Sequence, residues 1–110
     1  MTEEQIALAK RAVACKGWRW MPGMKVIDSV RMTEGMLKFT HPSDLPDLTD
    51  PATLGCLLAL VREARSEPFG YVSPVSQGRW AWACGLPVAQ EFRLASSEAE
   101  ALVFSLEAAP

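Results

Sequence analysis

The chain has 110 residues, with 49% hydrophobic and 22% charged residues and a formal net charge of −2. That length suits one ordinary domain and is too short for two. The near-neutral balance excludes a global polycation that would neutralise a nucleic-acid backbone. Charge is nevertheless uneven: Lys10, Arg11, Lys16, Arg19 and Lys25 crowd the first part of the chain, Asp44, Asp47 and Asp50 follow without a basic neighbour, and beyond Arg93 every charge is negative.

In chain order, Thr2 and Gln5 have the spacing of a capping box, and Ile6, Ala9, Ala12 and Val13 share one face, predicting a first helix that stops at Gly17. Trp18-Arg19-Trp20-Met21 alternates as a strand would, with both Trp on one face. Pro22-Gly23 reads as a turn. Met24 to Val30 and Met36 to Thr40 read as a hairpin closed by Thr33-Glu34-Gly35. Residues 41–49 hold prolines and aspartates and read as a loop. Asp50 caps and Pro51 opens the clearest helix, in which Leu54, Leu57, Leu58 and Val61 follow helical spacing and Gly55 and Cys56 leave room for another backbone.

Phe69 to Val75 is strand-like but carries Gly70 and Pro74, as an edge strand does. After Ser76-Gln77-Gly78, the run Arg79 to Ala83 alternates large and small. Glu91 to Leu94 adds a short last strand, and Ser97 with Glu100 caps a final helix bearing Ala99, Leu102, Val103 and Leu106. The expected fold is α+β: one domain over residues 1–110, with a small antiparallel sheet of about four to five strands covered by three helices. Trp18, Trp20, Trp80 and Trp82 are expected to pack beneath those helices, with Arg19 and Arg79 in water. The two Trp-x-Trp motifs hint at a duplicated half.

The sequence carries no catalytic or ligand-binding motif: no phosphate loop, no dinucleotide fingerprint and no nucleophile elbow. His41 is the sole histidine, in a loop with Asp44 nearby, and a solvated loop histidine is the simpler reading. Cys15, Cys56 and Cys84 are widely spaced, without Cys-x-x-Cys, and read as buried small hydrophobes in a reducing compartment. No metal site, cofactor or enzymatic activity is expected. The acidic, polar start and the short apolar runs point to a soluble, cytoplasmic protein with no membrane partner.

Three stretches resemble small uncharacterised proteins of tailed bacteriophages and prophages. They are Ile6 to Ala12 with Gly17 to Met24, Leu45 to Leu58 with Val61 to Ala64, and Ser97 to Val103. The resemblance covers about half the chain and brings no functional residue with it. What it implies is context: a phage accessory protein in the bacterial host cell that binds and inhibits a host protein, such as an anti-CRISPR protein acting on a CRISPR effector. Asp44 and Asp47, with Glu63 and Glu67 on the following helix, are the candidate partner-binding residues. The alternative is a nucleic-acid-binding early phage protein that uses the basic N-terminal region, although tight direct nucleic-acid binding is not expected from so few cations.

Overall fold

The computed structural model describes residues 1–83 and 94–110. Its elements are α1 (Glu3–Val13), a 3-10 helix (Glu34–Phe39), α2 (Pro51–Ala64), β1 (Tyr71–Ser76), β2 (Arg79–Ala83) and α3 (Glu98–Glu107). The class is α+β, with one antiparallel sheet of two strands among the described residues.

All three α-helices begin where their caps predict. Thr2 and Gln5 form the reciprocal capping box, the Asp50 carboxylate accepts from the Thr53 N–H, and the Ser97 hydroxyl accepts from the Glu100 N–H. These bonds satisfy backbone donors that have no partner inside the helix. α2 ends in a Schellman arrangement: the Glu67 N–H reaches the Arg62 carbonyl at 2.9 Å and the Ser66 N–H reaches Glu63 at 3.2 Å. Ser66 pays for this with a φ of 53°, a conformation that glycine adopts with least cost.

α3 packs against α1, α2, β1 and β2. Ala101, Leu102, Val103, Ser105 and Leu106 are all buried, so most of this helix is enclosed rather than one stripe of it. Ser105 survives there because its hydroxyl donates to the Ala101 carbonyl at 2.8 Å. Around it gather Ala9, Ala12, Leu48, Leu57, Val61 and Trp82. The three α-helices lie side by side with like ends together. Arg11 of α1 meets Glu107, and Arg65 beyond α2 donates to the Ser105 carbonyl. At the other end, Gln5, Leu8, Leu54, Ser97 and Ala99 line one shared cavity.

Among the described residues two of the expected four to five strands form, and the differences have local reasons. Residues 24–30 and 36–40 do not form a hairpin. Asp28 takes a left-handed φ of 54°, which aspartate tolerates, and the chain reverses there, well before Thr33-Glu34-Gly35. Lys25 therefore bridges Arg31, and Val26 bridges Pro46 from the loop that follows. Residues 36–39 belong to the 3-10 helix, which has no buried residue. Trp18 to Met21 has no strand neighbour among the described residues. Its two Trp rings meet edge to face instead, with centroids 5.4 Å apart. With no strand there, the hint of a duplicated half is not met.

β1 and β2 do form the expected hairpin, pairing Tyr71 with Ala83 through Pro74 with Trp80 before a bulge. Trp80 exchanges two 2.8 Å bonds with Ala95, so its backbone groups face away from β1. Pro74 thus sits at a non-hydrogen-bonded pair and its missing N–H costs the ladder nothing. The expected strand at Glu91 to Leu94 lies outside the described residues except for Leu94, which is exposed.

Two small-residue expectations also change. α1 ends at Val13 with Ala14 as cap, and Gly17 instead fills the junction where Ala64 and Leu106 meet; a Cβ there would lie 3.0 Å from each. Gly55 is exposed with nothing against it, whereas Gly70 is the close approach: a Cβ there would lie 1.9 Å from the Trp82 ring. Of the four tryptophans, only Trp82 is fully buried; Trp18, Trp20 and Trp80 are half-buried.

Trp82→Ala should therefore destabilise by about 3–5 kcal/mol, and Trp20→Ala by clearly less. Gly70→Ala should cost about 1–3 kcal/mol by overpacking, and much of that loss should vanish in a Trp82→Leu background. Ser66→Gly should stabilise by about 0.5–1 kcal/mol through relief of the left-handed backbone. Urea unfolding midpoints of these variants check all three.

Candidate interaction surface

Polar residues of the first half of the chain converge on the N-terminus of α2. Asp50 Oδ2 accepts from the Thr53 N–H at 3.0 Å and from the Thr53 hydroxyl at 2.8 Å. Arg31 forks onto the same carboxylate at 2.8 and 2.9 Å and also donates to the Gly23 carbonyl at 2.7 Å. Thr53 is fully buried, and its hydroxyl accepts from the Lys25 N–H at 2.9 Å. The Arg31 guanidinium and the Thr53 donors hold the Asp50 carboxyl well below the usual carboxylate range.

This arrangement decides what the predicted acidic residues can do. Asp47 is buried: its Oδ1 accepts from the Thr49 N–H at 3.0 Å, and Lys25 approaches Oδ2 at 3.6 Å. Burial pushes its pKa up, but the Thr49 bonds and the Lys25 charge outweigh that and lower it. Asp44, half-buried, accepts from the His41 backbone N–H at 2.8 Å, so the His41/Asp44 pair is a turn bond and does not involve the imidazole. The ring Nδ1 sits 2.6 Å from Ser43 Oγ.

Glu67 is half-buried, and its Oε1 accepts from Arg65 Nε at 2.7 Å and from Trp82 Nε1 at 3.2 Å. Glu63 is exposed and pairs with Arg19 at 2.8 Å. Asp44 and Asp47 lie before the N-terminus of α2, and Glu63 and Glu67 at its C-terminal end, on the order of 20 Å away along the helix axis. They are therefore distributed over both ends of α2. Asp47 and Glu67 hold the fold together, and Glu63 alone of the four is exposed.

The basic N-terminal region is also largely engaged. Arg11 pairs with Glu107 and stacks over the Phe104 ring at 5.0 Å, Arg19 pairs with Glu63, and Lys25 approaches Asp47. Lys10 and Lys16 are exposed and make no ion pair among the described residues. Cys15 and Cys56 are free and half-buried rather than fully buried, and partial burial raises both thiol pKa values. Cys84 lies outside the described residues. No group of three or more His, Cys, Asp or Glu among the described residues could hold a metal, and no described helix is long and apolar enough to cross a membrane.

What the sequence reading missed is apolar. Phe69 is 84% exposed and Phe39 is 81% exposed, and Val30, Tyr71 and Val75 are also exposed. Phe69, Tyr71 and Val75 ride on or beside β1, while Phe39 is the last residue of the unburied 3-10 helix and Val30 lies in the segment before it. Together the two phenylalanines leave on the order of 300 Å² of aromatic surface in water. A sequence signal existed at Phe69, which stands between Pro68 and Gly70, a loop setting rather than the interior of a strand.

No family model, curated protein or solved structure matches the chain.

The Asp50 cluster yields a pH prediction. Both Asp47 and Asp50 have folded pKa values below their unfolded ones, so their contribution is complete above the ordinary carboxylate range, near pH 4, and is lost as pH falls through the folded values. Asp50→Asn keeps a good cap but removes the charge that Arg31 faces. Its urea midpoint should fall less steeply between pH 4 and pH 2 than that of the wild type, and Asp50→Ala should cost about 2 kcal/mol at pH 7. An unchanged acid slope in Asp50→Asn would show that other carboxylates dominate.

Proposed function

We propose that this chain is a phage- or prophage-encoded accessory protein that works by binding a host protein, in the manner of an inhibitor of bacterial defence such as an anti-CRISPR protein. The observation that carries the binding part of this reading is the pair of phenylalanines, Phe39 and Phe69, held more than four-fifths in water. Full burial of either ring would contribute on the order of 3–4 kcal/mol before the costs of association. The phage and host assignment rests on the sequence resemblance. The protein acts by occupancy, with no chemistry of its own.

The acidic quartet has a smaller part in this reading than the sequence suggested. Asp47 and Glu67 are committed inside the fold, which leaves Asp44 and Glu63, at opposite ends of α2, as separate polar contacts. The alternative, nucleic-acid binding through the basic N-terminal region, draws on Lys10 and Lys16 after the internal pairs are set aside. Two phosphate contacts correspond to a salt slope of about −2 and to little affinity at physiological salt.

Two measurements test the proposal. Immobilised wild-type chain should retain a host protein in stoichiometric amount from a bacterial lysate, and should do so after nuclease treatment. Phe39→Asp and Phe69→Asp should lower that retention at least about tenfold while leaving the unfolding free energy from urea titration within about 0.5 kcal/mol of wild type, as suits exposed positions. Equal retention by both variants would refute the aromatic anchors. Submicromolar binding of a random single-stranded oligonucleotide at 150 mM salt would instead favour the nucleic-acid reading. In cells carrying a CRISPR system, expression of the chain should raise the plating efficiency of a targeted phage, and Phe69→Asp should abolish the rise.

A further inference from the structure

We draw no further inference here: the strongest candidate, the shallow groove between the N-terminal halves of α1 and α3 flanked by Glu4 and Glu100, is a set of carboxylates at two helix N-termini whose charge answers the helix dipoles, and nothing in the structure shows what would occupy it.

Discussion

Helix α3 ends without a cation of its own, yet its C-terminal pole is packed among neighbours. Three helices with like ends together bring partial charges of the same sign close to one another, about half an elementary charge per helix end. At the N-terminal end, Glu3, Glu4, Glu98 and Glu100 stand in first turns and oppose that positive field. At the C-terminal end the compensation for α3 is borrowed. Arg11 arrives from α1 to grip Glu107 and cover Phe104, and Arg65 arrives from the end of α2 to cap the Ser105 carbonyl. The buried side chains of Ala101, Leu102, Val103 and Leu106 hold α3 against its neighbours and the hairpin, and the two part-exposed arginines complement its C-terminal pole at the edge of that packing.

The other half of the molecule is held by a different device. Residues 14–50 contain little regular structure beyond the 3-10 helix, and their backbone groups need partners. Lys25 finds Thr53 and Asp47, Gly23 finds Met32 and Arg31, and Ile27 finds Leu45. Arg31 then fastens the assembly to Asp50. A residue that caps a helix thus also anchors a long irregular segment, and no buried side-chain nitrogen or oxygen among the described residues is left without a partner.

These commitments shape the functional reading. Several carboxylates and cations that look available along the sequence are used within the fold, whereas Phe39 and Phe69 stand more than four-fifths in water. The binding reading therefore leans on these two exposed aromatic side chains rather than on the acidic quartet.

The sequence by itself determined the three α-helices and the β1–β2 hairpin, because their signals are local: Thr2 with Gln5, Asp50 before Pro51, Ser97 with Glu100, and the alternation of Arg79 to Ala83 bounded by a turn. It also placed Asp50 as a cap residue. It could not show that Asp28 would reverse the chain early, since a left-handed aspartate is a small cost that only the bridges to Arg31 and Pro46 repay. Nor could it show which charges were free. Arg11 and Glu107 are 96 residues apart in sequence, and Glu67 and Trp82 are 15 apart, so their pairing exists only once α3 and the hairpin have docked. The exposure of Phe39 is likewise a tertiary outcome, because nothing local says which residues of the 3-10 helix will be covered, whereas Pro68 and Gly70 already mark a loop setting for Phe69.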